Sequence, residues 1–199
     1  SDEAVASGYV NLENYKIVDW ILGEEKETSW PRSEMDSLKG KQFKTFTPVL
    51  QDRITQYLNS GGNIFISGAY LGTDLIAGKN DSDMDVRFAK DILKFWWVTD
   101  HAVKNGQVVS VDKQFFGDSL SFQFNTGYDP DIYTVESPDA LGAQEGGRII
   151  LRYMENNFSA AVCYDNRYKT VMFGFPFETI KSPSGRDRVM KSILNFLSK

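Results

Sequence analysis

The clearest pattern of apolar positions predicts two buried strands with one helix between them. Residues 15–22 (Tyr-Lys-Ile-Val-Asp-Trp-Ile-Leu) and residues 63–67 (Asn-Ile-Phe-Ile-Ser) are short, almost continuous apolar runs, which is typical of strands buried on both faces of a parallel sheet. Between them, Thr47-Pro48 predicts a capped helix start. The expected buried stripe of this helix is Val49, Leu50, Ile54 and Leu58. This order predicts a βαβ unit whose strands are parallel neighbours.

Polar loops and a second helix surround this unit. Residues 26–44 are mostly polar and are predicted to form a loop with a short helix around residues 33–38. Ser82, followed three positions later by Asp85, has the spacing of a capping box. Apolar positions continue at helical spacing after it, which predicts a helix running to about Trp96.

The period of the apolar positions changes after residue 103. Three strands are predicted, at residues 107–111, 120–124 and 148–153, and two of them alternate apolar and polar positions. Two apolar runs, at residues 160–164 and 170–175, predict a hairpin. We expect residues 103–165 to form an antiparallel extension of the α/β core. An amphipathic helix at residues 184–197 should cover one face of the sheet.

Residues 68–72 (Gly-Ala-Tyr-Leu-Gly) directly follow the second strand and have the spacing of a strand-to-helix elbow. In enzymes this elbow raises a nucleophilic side chain above the end of a sheet. Gly68 and Gly72 would make the turn too tight for Cβ atoms, with Tyr70 strained and partly exposed at its centre. Tyr70 stands where an enzyme would place Ser or Cys. The same glycines also fit a tight βα turn that carries no site.

Three loops should meet at one edge of the sheet, because parallel strands end together. They follow Leu22, Ser67 and Phe175. The candidate ligand-binding residues in these loops are Gly23, Glu24, Trp30, Ser67, Gly68, Tyr70, Gly72, Asp74 and Glu178. Within this set, the carboxylates and Tyr70 would rim a cleft, and Trp30 would act as its lid.

Composition narrows the classes of partner. Hydrophobic residues make up 41% of the 199 residues and charged residues 25%, which is ordinary for a globular domain. A net charge of −5 argues against nucleic acid as the main partner, because phosphate binding needs a basic face. No apolar run is long enough to span a membrane. Aromatic residues make up 14% and include four tryptophans, which leaves room for stacking on sugars.

The sequence offers no evident metal site or thiol chemistry. Cys163 is the only cysteine and lies in an apolar run, so we expect a buried thiol without a disulfide. His101 is the only histidine, and we expect it to be solvated in a loop. Residues 81–85 alternate acids as a calcium loop does, but Val86 and Ile92 stand where that loop needs Gly and Glu. We therefore predict no metal and no cofactor.

Three segments together resemble the xanthan lyase-like domain of Bacteroidetes proteins. They are residues 15–25, residues 61–72 and residues 173–180 (Phe-Gly-Phe-Pro-Phe-Glu-Thr-Ile). That domain is similar to the class I glutamine amidotransferase fold. The resemblance therefore implies a flavodoxin-like, three-layer α/β domain over residues 1–199, with a mostly parallel sheet and an antiparallel β insertion. It also implies one domain of a longer secreted, periplasmic or cell-surface protein, with further strands of the fold upstream.

The amidotransferase pattern fails at the residues that would carry its chemistry. Its nucleophilic Cys would stand at Tyr70. Its Gly-x-Gln-Phe-His-Pro-Glu motif finds only residues 174–178, Gly-Phe-Pro-Phe-Glu, which contain no His. A tyrosine without a base to take its proton is a poor nucleophile. We therefore expect no glutaminase activity.

We favour a non-catalytic accessory or binding domain, related to carbohydrate or to other domains of the same polypeptide, over an enzyme. The alternative is a polysaccharide lyase or a glycan hydrolase. A lyase would need a base, an acid and a group that neutralises a carboxylate, roles in which Tyr70 and Arg148 can be imagined. A hydrolase would need paired carboxylates such as Glu24 and Glu178.

Glu24 and Glu178 could serve either a ligand or the fold. If Glu24 and Glu178 serve a ligand, that ligand should be a neutral polyol or a cation, because an anion would meet two like charges. If they serve the fold, each would cap a helix or pair with a nearby arginine such as Arg186 or Arg188.

Overall fold

The computed structural model describes residues 1–29, 41–77 and 83–199. Three predictions fall outside these ranges: the lid residue Trp30, the short helix around residues 33–38 and the capping residue Ser82. On either side of the first gap, residues Thr28–Ser29 and Lys41–Phe43 pair as a small antiparallel sheet.

The described chain folds as a central sheet with helices packed against it. The strands are β1 (Ile17–Gly23), β2 (Thr28–Ser29), β3 (Lys41–Phe43), β4 (Asn63–Gly68), β5 (Phe95–Thr99), β6 (Gln107–Ser110), β7 (Ser121–Gln123), β8 (Ala140–Ala143), β9 (Gly147–Tyr153), β10 (Ser159–Asp165) and β11 (Lys169–Phe173). The α-helices are α1 (Asp2–Ala6), α2 (Pro48–Asn59), α3 (Asp83–Arg87), α4 (Lys113–Phe116) and α5 (Pro183–Leu197). Shorter segments are the 3₁₀ turns Leu12–Asn14 and Phe177–Thr179 and the π-helical segments Thr73–Ala77 and Phe88–Leu93.

The main sheet is mixed. Its strand order is β1-β4-β11-β10-β9-β6-β7. β4 runs parallel to both β1 and β11, and every other neighbouring pair is antiparallel. The prediction of a mostly parallel sheet is therefore wrong. The strands expected as an added extension belong to this same sheet, because β10 and β11 form the predicted hairpin and bring β9, β6 and β7 into the ladder.

The predicted βαβ unit is present. β1 and β4 are parallel neighbours, and α2 connects them. Thr47 caps α2, because its hydroxyl oxygen accepts a hydrogen bond from the backbone N–H of Leu50 at 3.3 Å. Leu50, Ile54 and Leu58 are buried as expected. Val49 is 51% exposed, so its assignment to the buried stripe was wrong.

Buried side chains form two clusters, on opposite faces of the sheet. Phe65 of β4 lies in one cluster together with Val189 of α5. Its neighbours Ile64 and Ile66 lie in the other cluster, together with Ile54 of α2. This alternation is what a strand buried on both faces requires. Since α5 and α2 contribute to different clusters, the α/β architecture has helices on both sides of the sheet.

The helical region before Trp96 ends earlier than predicted. Phe88–Leu93 is π-helical, and Lys94 then adopts a left-handed conformation with φ of 67°. This conformation ends a helix. Trp96 lies in β5, which pairs with β8 in a two-stranded sheet. Neither strand of that pair was predicted.

Candidate functional site

The carboxyl ends of β1, β4 and β11 meet at one edge of the sheet, as predicted for parallel strands. Gly23 stands opposite Gly68, and Ser67 lies between Ile21 and Phe173 in the ladder. The loops after these strands therefore lie side by side. We use the name carboxyl-edge site for these loops and the segment that contacts them, residues 23–26, 68–74, 133–139 and 176–180.

The elbow is tight because of packing and not because of backbone strain. A Cβ atom on Gly68 would lie 2.7 Å from Cβ of Leu22. A Cβ atom on Gly72 would lie 2.7 Å from Cδ1 of Trp97. Tyr70 is not among the described residues with positive φ, so left-handed backbone conformation, one form of the strain expected at this position, is absent. The chain turns at Tyr70 and its side chain is partly exposed, as expected.

Tyr70 lies in an acidic environment. Burial is the largest cause that raises the pKa of its hydroxyl, and the charges of four carboxylates raise it further, those of Glu24, Glu136, Asp139 and Asp74. Nζ of Lys26 lies 4.9 Å from the centroid of the Tyr70 ring, within cation–π distance. A phenol with a raised pKa keeps its proton at neutral pH. Tyr70 can therefore donate a hydrogen bond but is not a nucleophile.

Glu24 and Glu178 both belong to this site, and each accepts a hydrogen bond there. Oε1 of Glu24 accepts from the backbone N–H of Glu136 at 3.2 Å. Oε1 of Glu178 accepts from the hydroxyl of Tyr133 at 2.6 Å. Oε2 of Glu178 is buried and has no hydrogen-bond partner in the described part of the chain. Among the described residues no arginine pairs with either glutamate, and Arg186 donates to a backbone carbonyl.

Negative charge accumulates between β1 and the turn that holds Glu178. Burial is the largest cause that raises the pKa of Glu24. The charge of Glu136 also raises this pKa, and the charge of Lys26 lowers it. The pKa of Asp19 rises to about 6, first because the surrounding protein removes water and second because Glu178 is nearby, although Asp19 still exposes more than a third of its surface. An anion placed in the carboxyl-edge site would meet like charges, which a neutral or cationic group would not.

Asp74 and Ser67 do not lie at the rim of this site. Asp74 is buried, and its Oδ2 accepts hydrogen bonds from the backbone N–H of Glu27 at 2.8 Å and the hydroxyl of Thr45 at 2.6 Å. Asp74 therefore holds the loop after β1 against the segment that precedes α2. Ser67 is fully buried. Gly23 is needed at its position because its φ is +59°.

Asp139 is the most consequential residue that the sequence analysis missed. Its carboxylate is fully buried and accepts hydrogen bonds from the backbone N–H groups of Gly72 (2.6 Å) and Thr73 (2.9 Å). It also accepts from the Thr73 hydroxyl (2.6 Å) and from Nε1 of Trp97 (3.1 Å). Asp139 therefore fixes the elbow from a remote loop. The local sequence Ser137-Pro138-Asp139 carries no signal of this contact.

Residues 125–133 form a second unpredicted part of the site. Asn125 is fully buried, and its side-chain amide donates to the carbonyl groups of Gly127 (2.8 Å) and Ile132 (2.7 Å). This holds the loop that presents Tyr128, which is 95% exposed, and Tyr133, which is 43% exposed. Two aromatic side chains are thus placed in solvent by an ordered loop that ends at the carboxyl-edge site.

The sole histidine is solvent-exposed as expected, but it has partners. Its Nδ1 lies 2.9 Å from the hydroxyl of Ser137 and 3.2 Å from Oδ2 of Asp100. In a Ser-His-Asp triad the serine and the acid bind opposite ring nitrogens. Here both lie against the same nitrogen of His101, and Ser137 is buried. This arrangement is not a catalytic triad.

Other reactive groups in the described part of the chain are buried or paired. Cys163 is buried in β10, and burial raises the pKa of its thiol to about 12, so the reactive thiolate is not formed at neutral pH. Arg148 is paired with Asp112 at 3.0 Å. Asp85 accepts hydrogen bonds from Lys44 and Gln51. No group of three metal-ligating side chains was found among the described residues. No helix within that part of the chain could cross a membrane.

Comparison with known proteins identifies the fold. No protein-family model and no curated protein sequence matches this chain. Solved structures do match. A ThuA-like protein of Bacteroides uniformis superposes with a TM-score of 0.58 at 11% identity, over 96% of this chain and 74% of that chain. The cytoplasmic protein STM3548 of Salmonella typhimurium gives a TM-score of 0.57 at 15% identity, over 98% and 78% of the two chains.

The fold also occurs inside a larger enzyme. A β-galactosidase of Bacillus circulans sp. alkalophilus matches 94% of this chain with a TM-score of 0.55 at 9% identity, but the match covers only 23% of that chain. The ThuA-like protein has a glutamine amidotransferase-like fold. These likenesses show the fold alone. They support an α/β fold similar to that of glutamine amidotransferase-like proteins, and they do not test the xanthan lyase-like assignment.

Proposed function

We propose that this chain is a non-catalytic accessory or binding domain of a secreted bacterial protein, and that its carboxyl-edge site binds a neutral carbohydrate. The observation that carries the proposal is the residue at the centre of the elbow. Tyr70 has a raised pKa, stands among carboxylates and has no histidine or cysteine beside it in the described chain. The position of an amidotransferase nucleophile is therefore filled by a group that can only make hydrogen bonds and stack.

The charges of the site support a neutral ligand. At an effective dielectric constant of about 20, one carboxylate at ~4 Å costs an anion roughly 4 kcal/mol. Glu24 and Glu178 would impose this cost twice, which exceeds the gain from a few hydrogen bonds of about 1 kcal/mol each. Sugar hydroxyls escape the penalty and donate well to carboxylates. The secreted location rests on the resemblance of the sequence.

The aromatic side chains support a sugar in particular. Tyr133 is 43% exposed while its hydroxyl donates a hydrogen bond to Glu178. A tyrosine held by one end presents a rigid apolar face next to an acceptor, which is the combination that a sugar ring needs. Tyr128 lies in the same ordered loop and is almost wholly exposed. The occurrence of this fold within a β-galactosidase chain is compatible with an accessory role.

The test is titration calorimetry against a panel of neutral oligosaccharides and matched uronic-acid oligosaccharides. We expect a neutral member to bind and Tyr133→Ala to weaken it by at least tenfold, which is about 1.4 kcal/mol. Tyr128→Ala should weaken it less, and Tyr9→Ala is the control because Tyr9 is 89% exposed but precedes β1. Tight binding of a uronic-acid chain at this site would contradict the proposal and favour the lyase alternative. Failure of every glycan to bind would remove the carbohydrate assignment.

A further inference from the structure

The described chain covers one edge strand of the main sheet and leaves the other edge strand open. The edge at β7 is covered, because Lys181 donates its backbone N–H to the carbonyl of Gln123 at 2.9 Å and Asn125 donates to the carbonyl of Thr179 at 2.9 Å. Phe124 and Ile180 complete this contact as an antiparallel bridge. Covering an edge in this way prevents it from pairing with another chain. The edge at β1 has no such cover in the described residues.

The free backbone groups of β1 can be identified from the ladder. Asn63 donates its N–H to the carbonyl of Lys16, and the parallel register pairs Ile17 with Asn63. In a parallel ladder this places the amide groups of alternate residues toward β4. The N–H and C=O groups of Ile17, Asp19 and Ile21 therefore point away from the sheet. No hydrogen bond from them to another described residue is present.

A groove runs along this edge. It has a volume of about 410 Å³ and is lined by β1 together with side chains of the preceding segment, among them Val5, Val10 and Leu12. β1 contains no proline or lysine, which are the residues that usually blunt an edge. Ile21 is 54% exposed, and Asp19 is exposed on the same face of the strand. The edge thus offers unpaired backbone, an apolar wall and one carboxylate.

We propose that the β1 edge is a docking site for an extended peptide strand in which apolar residues alternate with Lys or Arg. Such a strand would add to the sheet through the amides of Ile17, Asp19 and Ile21, which is a common mode of peptide recognition. Its apolar side chains would fill the groove on one face. Its basic side chains would lie on the other face, opposite Asp19 and near the charge of Glu178.

The charge of the edge selects this occupant over a second copy of the chain. A symmetric antiparallel pair centred on Asp19, the middle of the three residues with free amides, would place Asp19 directly opposite its own counterpart. Like charges facing each other across a strand pair are destabilising. A basic partner strand reverses the sign of that interaction, and the net charge of −5 opposes self-association in the same direction.

The experiment uses a capped octapeptide in which Val and Lys alternate. Fluorescence anisotropy measures its binding to the protein, and amide hydrogen exchange shows which backbone groups it covers. We expect saturable binding below about 1 mM, with slower exchange of the Ile17, Asp19 and Ile21 amides. Asp19→Asn should weaken binding about fivefold, the size of a partly exposed ion pair, while Asp118→Asn should change nothing. The control peptides alternate Val with Glu, or carry methyl groups on the backbone nitrogens, and neither should bind.

Three results would overturn the proposal. The first is no saturable binding of the Val-Lys peptide by folded protein, as judged by circular dichroism. The second is binding without protection of the three β1 amides, which would place the peptide elsewhere. The third is concentration-dependent dimerisation that protects the same amides, which would make a second copy the occupant. Sedimentation equilibrium separates this last result from peptide docking.

Discussion

The buried carboxyl of Asp139 should make the protein less stable as the pH rises from 4 to 8. Burial is the largest influence on this group and raises its pKa from 3.8 to about 7, although four hydrogen bonds from Gly72, Thr73 and Trp97 act in the opposite direction. The unfolded chain loses this proton near pH 3.8, whereas the folded chain keeps it until about pH 7. Between these values the unfolded state binds fewer protons, so the free energy of unfolding falls with pH.

The magnitude follows from the size of the shift. Each tenfold change in proton affinity corresponds to about 1.4 kcal/mol, so a pKa raised from 3.8 to about 7 lowers the free energy of unfolding by about 4 kcal/mol across this range. Above pH 7 both states are ionised and no further change is expected from this residue. Asp19, whose pKa rises to about 6, contributes in the same direction. A loss of about 4 kcal/mol in the free energy of unfolding is a large part of the stability of a typical domain.

Asp139→Asn isolates the contribution, because an amide of the same shape cannot ionise. Urea unfolding at pH 4, 5.5, 7 and 8.5 would give the free energy of unfolding of both proteins. The advantage of the native protein over Asp139→Asn should shrink by about 4 kcal/mol between the ends of this series. Asp118→Asn, which removes an exposed carboxyl, should leave the shape of the curve unchanged.

Two outcomes would refute this reasoning. If the native protein and Asp139→Asn show parallel curves, Asp139 ionises alike in the folded and unfolded states. If the advantage of the native protein grows with pH, the hydrogen bonds from the elbow outweigh the cost of burial. Asp139 would then act as an ordinary anionic helix cap.

Two further predictions concern the elbow and the thiol. Gly72→Ala should lower the free energy of unfolding, measured with urea, by about 1–3 kcal/mol, because the new Cβ would lie 2.7 Å from Trp97. Gly127→Ala is the control and should be nearly neutral, because nothing lies within 4 Å of its Cβ. Equal effects of the two substitutions would show that the elbow can relax. The native protein should release no ammonia from glutamine, and Cys163→Ala should change only stability, by about 1 kcal/mol. Glutaminase activity that disappears in Cys163→Ala would overturn the assignment of a degenerate site.

The parts of the fold that were predictable are those with a local signal. The apolar runs of β1 and β4, the Thr47-Pro48 start of α2 and the stripe of α5 each lie within a few residues of the sequence and each is present. The convergence of three loops followed from the rule that parallel strands end together. These signals need no knowledge of distant contacts.

The parts that were not predictable depend on distant contacts. Trp96 continues a helical pattern, but its strand is decided by pairing with β8 and by the left-handed turn at Lys94. Asp139 is separated by 67 positions from the backbone group of Gly72 that it binds. The strain expected at Tyr70 was inferred from its glycine neighbours, which are in fact required by the side chains packed against them. Asp74 looked like a rim residue from its position, and only the contact with Thr45 shows otherwise.

The mixed sheet also implies an order of folding. β9, β10 and β11 are successive antiparallel strands, so their pairing closes short loops and can occur early. β4 joins β11 across a much larger separation, as shown by the hydrogen bond between Asn63 and Lys169, which are 106 positions apart. The carboxyl-edge site lies where these two halves of the chain meet. We therefore expect the site to be assembled late, so that a protein stalled during folding would retain the antiparallel strands β9, β10 and β11 while lacking the site.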